Sequence, residues 1–540
     1  MDARVNITMS MPSRHPLDND GYDPHRHEYR PGYVNPRSWP LLVTAVPRIP
    51  GERLDDGERS AYRAEWILTR IDGDERRELL HVRDSALRRT LALPEQGAYV
   101  VEVRVGLQGR VAASTTRAFR FRDYLVVAIG DSFCAGQGNP DRAALASADD
   151  QVTCRTTTLR MFATNISSKV NGFLGRLESE SESAAREASW LPGVVGLAVT
   201  VQDTFEKQKN AIKATIKNRV KDAASTFISG VREGIEEVAG WFGIGDGGES
   251  VEVPHGPAWQ EPFAYRSYLA AHSIAARAVE SDAAGEFTRV TFLNFGRSGS
   301  EIEKGLFRPR GDSVDGWARD RGQITEAADT VAGRPIDVLI VTIGINDLDF
   351  SSLATDSVLW PALGDFAGRL DRATRKVDVE LPENYRRLRN VIEARLRPRR
   401  VLITEYPVGI FDELASGATR ECGVLTSASG LNLNFGEAGQ LGELGIKMNG
   451  AISAAASELG WTKVGGIESG FRRHGYCAED SFFVSAQESC LNQGDFEGML
   501  HPNGKGNRVA ADCIARELAE ALREPEPSWL VEALHVMMND

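Results

Sequence analysis

The chain has 540 residues, of which 42% are hydrophobic and 26% are charged, and its formal net charge is −13 at pH 7. This length predicts two or three domains, and the composition is ordinary for a globular protein. The negative charge argues against a general nucleic-acid binder, so we expect no nucleic-acid partner.

The first segment, residues 1–36, is rich in Pro, His, Asp and Arg and shows no hydrophobic periodicity. We interpret it as an extended N-terminal arm. Its first residues, MDARVNITMSMPSRHP, lack the apolar stretch of a signal peptide, so none is visible in this sequence. Further along, the best apolar run, residues 190–201, is too short to span a bilayer and contains Pro and Gly.

Residues 37–122 contain short runs of strand character that are separated by Gly, Pro and Asp turns. Apolar and polar residues alternate most clearly in YVVEVRV, residues 99–105. Six such runs predict an immunoglobulin-like β-sandwich, whose default role is that of a spacer or packing partner. The predicted strands cover residues 39–46, 62–71, 78–82, 87–93, 98–105 and 112–122.

From residue 123 onward, apolar strand-like runs alternate with helical patterns. This alternation predicts an α/β domain over residues 123–523, with a parallel sheet flanked by helices, and leaves 524–540 as a C-terminal tail. The predicted strands are 125–129, 290–295, 337–343, 400–405 and 461–464, and the predicted helices include 265–280, 384–396 and 507–522.

The first of these strands, 125–129, ends in Gly130-Asp131-Ser132 and is followed by Gly136 and Gly138. In an α/β fold, a serine on a turn at the carboxyl end of a central strand is placed as a nucleophile. We therefore expect the chain to supply a base and oxyanion donors at strand ends further on.

A helical insertion, residues 159–258, follows this strand and is far longer than a usual connecting loop. Its apolar residues recur at helical spacing, and lysines cluster in residues 207–221. One interpretation is a lid or membrane-surface element that serves a lipid substrate. The other is a helical hairpin that packs on the core with a solvated basic face. In either case we expect it to overhang the strand ends.

Three further motifs follow in order: Ser298-Gly299, then Gly344-Ile345-Asn346-Asp347, then His501-Pro502-Asn503. Together with Gly130-Asp131-Ser132 they resemble the four blocks of the SGNH (GDSL) hydrolases, and look most like secreted actinobacterial lipase- and esterase-like members. The resemblance covers roughly residues 123–523 apart from the insertion. It implies a flavodoxin-like, three-layer α/β/α SGNH domain, and a serine ester hydrolase without cofactor or metal.

The resemblance also implies a role for each of these motifs. Ser132 is the expected nucleophile and His501 the expected base, because a neutral serine needs a base within hydrogen-bond reach. The expected oxyanion hole consists of the backbone N–H groups of Ser132 and Gly299 and the side-chain amide of Asn346. Glycine lets the backbone approach a tetrahedral intermediate, and the amide is a neutral donor.

The sequence leaves open which group is the third member of the triad. The family usually has an Asp three residues before the histidine, and this chain has Gly498 there. We expect the carbonyl of Gly498 to accept from the imidazole, which gives a Ser-His dyad. Alternatively, Asp495 or Glu497 reaches the ring from the same loop. A dyad would depend more strongly on its oxyanion hole.

All six cysteines lie in the predicted hydrolase region, and no CxxC spacing suggests a zinc site. An even number is consistent with up to three disulfides and with an extracytoplasmic or secreted location. The alternative is six free thiols in a cytosolic enzyme. By resemblance, Cys154 and Cys477, in His474-Gly475-Tyr476-Cys477, correspond to cysteines of secreted members.

We therefore expect a serine ester hydrolase that cleaves carboxylic esters through an acyl-enzyme on Ser132, with acyl lipids or acyl esters as substrates. Lipases, acetyl-polysaccharide esterases and polyester hydrolases share this set of residues, so acylated glycans and polyesters are alternative substrates. A carbohydrate esterase is the alternative enzyme, and a surface binding protein with a vestigial hydrolase fold is the alternative class. We expect a monomer, with membrane-surface contact through the insertion in the lipid case.

Overall fold

The computed structural model describes residues 4–48, 62–144, 256–310, 321–412 and 435–523, apart from 85, 108–109, 284, 351–352, 354–365 and 496. Nearly all of the insertion predicted over 159–258, and the whole tail at 524–540, lie outside the described residues. No helix in the described part of the chain combines the length and apolarity that a membrane span requires.

The described strands, in chain order, are β1 Arg4–Ser10, β2 Tyr22–Asp23, β3 Glu28–Tyr29, β4 Trp39–Arg48, β5 Tyr62–Asp72, β6 Glu75–Asp84, β7 Arg88–Leu93, β8 Gly97–Leu107, β9 Arg110–Gly130, β10 Ser281–Ala283, β11 Glu286–Asn294, β12 Val338–Thr342, β13 Arg400–Thr404 and β14 Thr462–Val464. The helices are α1 Pro31–Val34, α2 Ser132–Ala135, α3 Ala271–Ala278, α4 Gln323–Val331, α5 Phe366–Arg375, α6 Leu381–Arg395, α7 Phe435–Leu459, α8 Ile467–Phe471, α9 Ala486–Gln493 and α10 Gly504–Leu522.

The N-terminal strands form two antiparallel sheets around one apolar core. One sheet has the order β1-β4-β7, and the other joins β6, β5 and β8 to the first part of β9. Trp66, Tyr99 and Phe119 are fully buried between them. The strands predicted over 37–122 are confirmed, while the immunoglobulin-like topology stays a prediction.

From residue 4 onward, the N-terminal segment is part of the fold rather than the extended arm expected over 1–36. Strand β1 pairs with β4, and its alternating apolar residues enter the sandwich core. The chain then crosses to the α/β half, where Tyr22, Tyr29 and Tyr33 are buried. Tyr33 accepts a hydrogen bond from the N–H of Phe292 on β11 at 3.0 Å.

Strand β9 runs from Arg110 to Gly130 without a break, so the domain boundary expected at 122/123 falls inside one strand. At this point the buried carboxylate of Asp123 accepts from Trp39 Nε1 at 2.7 Å and from Thr291 N–H at 3.1 Å. It also lies 3.3 Å from the guanidinium of Arg334. Asp123 thus connects the sandwich to the α/β half.

The α/β half is built on parallel strands, which confirms the predicted α/β class, while the flavodoxin-like, three-layer arrangement stays a prediction. β9 pairs in parallel with β11 and with β12, and the sheet continues through β13 to β14. Val338–Thr342 of β12 is buried along its whole length, as expected of a strand that is covered on both faces. Helices α3 and α10 pack on each other, and α6 packs on α4 and α7. The predicted helices are confirmed, although α3 is shorter than the pattern over 265–280.

Candidate active site

Three of the predicted site residues follow the carboxyl ends of neighbouring parallel strands. Gly130, the last residue of β9, is in register with Thr342, the last residue of β12. Asn294, the last residue of β11, is in register with Ala128. The turns that carry Ser132, Gly299 and Asn346 therefore start from one edge of the sheet.

Ser132 begins the short helix α2 immediately after β9. Gly130 allows the close approach to β12, because a Cβ added there would lie 2.1 Å from the carbonyl oxygen of Thr342. Asp131 caps α2 by accepting from Phe133 N–H at 3.0 Å. Ser132 is 8% exposed, and its N–H belongs to the first helical turn, which has no intrahelical acceptor. Within the described residues, neither Oγ nor N–H of Ser132 has a hydrogen-bond partner.

The carboxyl group of Asp131 is fully buried behind Ser132. The hydroxyl of Tyr406, in the loop after β13, donates a hydrogen bond to it. Burial raises the pKa of this carboxyl to about 7, because desolvation disfavours the ionised form. Asp131 therefore shapes the turn at Ser132 and is itself held by Tyr406.

The other two expected oxyanion donors, Gly299 and Asn346, lie on two turns that contact each other. Gly299 has φ +70, a left-handed conformation that favours glycine. Its backbone N–H has no acceptor within the described residues. Asn346 Nδ2 donates to the carbonyl of Ser300 at 3.0 Å. This bond orients the amide and ties the turn after β12 to the loop after β11.

Asp347, next to Asn346, reinforces the same junction. Its carboxyl accepts from the N–H of Ile302 at 3.2 Å. Burial raises its pKa to about 7. The group contacts the loop after β11, which agrees with a structural role.

His501 is held by its own loop and by the start of α10. Its carbonyl accepts from Val484 N–H at 2.8 Å, and Leu500 N–H donates to the carbonyl of Val484 at 3.0 Å. Leu500 has φ +67, an uncommon conformation for a residue with a side chain. Asn503 then caps α10 by accepting from Lys505 N–H at 2.9 Å. The loop therefore fixes the backbone on both sides of the imidazole.

Burial also sets the protonation state of His501. It lowers the pKa of the imidazole to about 4, with desolvation as the largest cause. The ring is therefore neutral at pH 7, which is the form that can accept a proton.

Two backbone carbonyls interact with the ring of His501. Nδ1 lies 3.2 Å from the carbonyl oxygen of Met499, and the carbonyl of Gly498, the expected acceptor, interacts with the imidazole as well. The carbonyl of Gly498 also accepts from the backbone N–H of His501. A carbonyl can only accept, so the contact with Met499 places a proton on Nδ1 and leaves Nε2 as the basic nitrogen.

The two acidic alternatives have other contacts. The carboxylate of Asp495 accepts from Tyr265 Oη at 2.8 Å, from Gln493 Nε2 at 2.6 Å and from Glu497 N–H at 2.9 Å. Glu497 is exposed. No hydrogen bond joins either carboxylate to the imidazole among the described residues.

The loop after Ser132 contacts the loop of His501. Gln137 Nε2 donates to the carbonyl of Glu497 at 2.6 Å, and Gly138 N–H donates to Gln493 Oε1 at 3.1 Å. A Cβ added at Gly138 would lie 3.1 Å from the Cβ of His501. The described residues show no direct hydrogen bond between Ser132 and His501.

Sequence reasoning missed the side chains that support the turns, in particular Tyr406 and the glutamines at 137, 323 and 493. Gln137 lies within the Gly136-Gln137-Gly138 stretch, which was a local signal. Tyr406 and Gln323 follow no motif, and their partners lie far away in the chain.

Two free thiols lower the maximum number of disulfides that the chain can form. Cys134 and Cys513 are free and buried, so the expected maximum of three becomes two. Cys477 and Cys490 are not among the free thiols, and Cys154 and Cys422 lie outside the described residues. No group of three or more His, Cys, Asp or Glu side chains in the described part of the chain is arranged to hold a metal ion.

Comparison with known proteins gives a family. A model of the GDSL-like lipase/acylhydrolase family matches residues 126–514. No curated protein matches the chain.

Several solved structures are also similar to the chain. An extracellular lipase from Streptomyces rimosus is 18% identical over 47% of this chain and 88% of its own, with a TM-score of 0.33. A phospholipase A1 from Streptomyces albidoflavus is 19% identical over the same shares, also with 0.33. A family two carbohydrate esterase from Clostridium thermocellum, an active-site mutant, is 8% identical over 95% of this chain and 98% of its own, with 0.26. At these TM-scores the family model alone carries the assignment.

Proposed function

Because the chain belongs to the GDSL-like lipase/acylhydrolase family, an assignment that implies ester hydrolysis, we propose that it is a serine hydrolase with Ser132 as nucleophile and His501 as base. The observation that carries this proposal is the set of turns at one sheet edge. Ser132 and Gly299 each have a backbone N–H without an acceptor in the described residues there, and the loop that follows Ser132 contacts the loop of His501, whose imidazole is neutral.

In the first step, Ser132 Oγ attacks the carbonyl carbon of an ester while Nε2 of His501 takes the hydroxyl proton. The Met499 carbonyl holds Nδ1–H and so fixes the ring, but it is neutral and stabilises the imidazolium less than a carboxylate would. The negative charge on the former carbonyl oxygen is then stabilised by the backbone N–H groups of Ser132 and Gly299 and by Nδ2 of Asn346.

In the second step, the imidazolium gives its proton to the departing alcohol, and the acyl group stays on Ser132. Water then attacks the acyl-enzyme while His501 again accepts a proton. The tetrahedral intermediate uses the same donors, and its collapse returns the proton to Ser132 and releases a carboxylic acid. No cofactor takes part in this proposed cycle.

For the substrate, we propose acyl lipids or other acyl esters. The test is turnover of p-nitrophenyl esters from acetate to palmitate, with Ser132→Ala as the control. We expect turnover that increases with chain length in the wild type and none in the variant. A maximum at acetate would replace this substrate class with the acetyl-polysaccharide esterase. Absence of turnover with every ester would favour the binding protein with a vestigial fold.

We also propose that the protein works outside the cytoplasm and that its disulfides involve the four cysteines other than Cys134 and Cys513. The proposal is supported by the buried free state of these two thiols, which leaves an even number of cysteines. Mass spectrometry of the unreduced protein would test it. Alkylation of all six cysteines without reductant would contradict it.

A further inference from the structure

The side chain of Gln323, the first residue of α4, is fully buried between the end of β9 and the loop that carries Gly299. Its Oε1 accepts from Gly130 N–H at 2.8 Å, and its Nε2 donates to the carbonyl of Gly130 at 2.7 Å. One amide group therefore pairs with both backbone groups of the residue two positions before Ser132.

The same amide also contacts the second turn. Nε2 of Gln323 donates to the hydroxyl of Ser300 at 2.9 Å, and the carbonyl of Ser300 accepts from Asn346 Nδ2. Ser300 directly follows Gly299. Gln323 is thus joined, through one or two hydrogen bonds and a peptide link, to the turns of all three expected oxyanion donors.

Gln323 is itself fixed at both ends. Its backbone N–H donates to the carbonyl of Gly305 at 2.9 Å. A Cβ added at Gly305 would lie 2.5 Å from Ser300 Oγ, so this glycine allows the Ser300 hydroxyl to pack closely. Since Gln323 and Ser300 are completely buried, water cannot replace the bonds of the amide without a rearrangement.

We propose that Gln323 is the positioning residue of the oxyanion hole: its amide sets the separation between the turn of Ser132 and the turns of Gly299 and Asn346. The inference rests on the proposed function and deepens it. Gln323 touches no reacting atom. It acts through geometry, because oxyanion donors are effective only near hydrogen-bond distance and a displacement of about 1 Å can cost about 100-fold in rate.

The chain offers a matched control on the same strand. Gln96 binds both backbone groups of Asp123 in the same way as Gln323 binds those of Gly130. Nε2 of Gln96 donates to the Asp123 carbonyl at 3.0 Å, and Oε1 of Gln96 accepts from the Asp123 N–H at 3.0 Å. Asp123 lies roughly 20 Å from Gly130, since a strand rises about 3.3 Å per residue. Gln96 therefore reproduces the backbone contact without the connection to the site.

The first experiment compares Gln323→Met with Gln96→Met in ester turnover and thermal unfolding. We expect kcat of Gln323→Met to fall by about 10- to 100-fold while KM changes by less than about threefold, because transition-state stabilisation is lost and ground-state binding is not. Gln96→Met keeps the kcat of the wild type even where its Tm falls. A Gln323→Met protein with wild-type kcat, or equal losses of kcat in the two variants, would overturn the inference.

The second variant, Gln323→Glu, keeps the shape of the side chain. Its side chain can donate a hydrogen bond only when the carboxyl group is protonated, so this donor depends on pH. A protonated carboxyl can both accept from Gly130 N–H and donate to the Gly130 carbonyl, whereas a carboxylate can only accept. We expect kcat of this variant relative to wild type to recover as the pH falls from about 8 to about 5.5, since a buried carboxyl has a raised pKa.

His501 stays neutral over this range because its pKa is about 4. Asp131 and Asp347 titrate near pH 7 in both proteins, and the ratio removes their effect. A ratio that does not change with pH would contradict the positioning role. If the wild type turns over esters and Gln323→Met does so equally well, only this inference fails. If the wild type turns over no ester, the proposed function fails with it.

Discussion

The two halves of β9 have the same backbone conformation but opposite surroundings. In residues 110–121, which we call the sandwich half, β9 pairs with antiparallel β8, and the buried Phe119 and Phe121 alternate with half-exposed neighbours. In residues 122–130, the site half, it pairs in parallel with β11 up to residue 128 and with β12 from residue 126, and 125–130 are buried without exception. One face of the first half is exposed to solvent, whereas the second is covered on both faces.

Because of this difference, we expect the sandwich half of β9 to contribute mainly to the stability of the fold and the site half to the placement of the site residues. In the sandwich half, buried aromatic side chains supply apolar contact area, and polar side chains reach solvent. In the site half, every polar group needs a protein partner, because water does not reach it. Gly130 and Asp131 therefore have specific partners in Gln323 and Tyr406. We expect substitutions in the sandwich to lower stability and substitutions around the site to lower kcat.

The largest expected effect is that of His501→Gln. Loss of the general base should lower kcat by about 10²- to 10⁴-fold, while thermal unfolding changes little. Steady-state turnover of a p-nitrophenyl ester measures the first quantity, and calorimetry measures the second. A variant within tenfold of wild-type kcat would show that another group accepts the proton.

The pH profile of the wild type gives an independent check of the same residue. A base acts when it is neutral, and burial lowers the pKa of His501 from 6.5 to about 4. We therefore expect the imidazole to make kcat/KM fall only as the pH decreases through about 4. An acid limb near 6.5 that remains in Asp131→Asn and in Asp347→Asn, which lack the two carboxyls with a pKa of about 7, would mean that the imidazole is solvated in the working enzyme.

An intermediate effect, on stability alone, is expected from Phe119→Ala. Phe119 is fully buried, and its ring centroid lies 5.6 Å from that of Tyr99 and 5.4 Å from that of Phe287. We expect the free energy of unfolding to fall by about 3–5 kcal/mol, as measured by denaturant titration. The kcat per folded molecule should not change. A fall in kcat at full stability would show that the two halves of β9 are coupled.

The smallest effect is expected from Asp495→Asn. Asp495 accepts from Tyr265, Gln493 and Glu497, and not from His501. We expect kcat to change by less than about threefold, rather than by the about 10⁴-fold that loss of a triad acid costs. Glu497→Gln is the companion variant. A loss of several orders of magnitude in either would replace the Met499 carbonyl with a carboxylate as the partner of the histidine.

The local patterns in the sequence predicted the elements of the fold well. The alternation in 99–105 predicted β8, and the apolar run 125–129 predicted the site half of β9. The continuity of β9 was not predicted, because Arg120, Arg122 and Asp123 interrupt the apolar pattern as a linker would. Asp123 is instead buried by partners that are far away in sequence. In β1, the alternation of Val5, Ile7 and Met9 was a signal that could have been used.

In the site, too, the sequence predicted local motifs but not the contacts between residues that are far apart in the chain. Strand-end motifs led to Ser132, Gly299, Asn346 and His501, since each follows or precedes a recognisable element. The Met499 carbonyl was not predicted as an acceptor for His501 beside that of Gly498, because the positive φ of Leu500 turns the loop in a way that spacing cannot reveal. Gln323 was not predicted at all, because its function lies in contacts with a residue almost two hundred positions earlier.

The central claim is that Ser132 is the nucleophile, and site-resolved labelling by a fluorophosphonate probe tests it most directly. We predict that mass spectrometry finds one label per molecule, on the peptide that contains Ser132, and that His501→Gln is labelled much more slowly. Ser132→Ala should take up no label. A label on a different residue, or undiminished labelling and turnover in Ser132→Ala, would contradict the account.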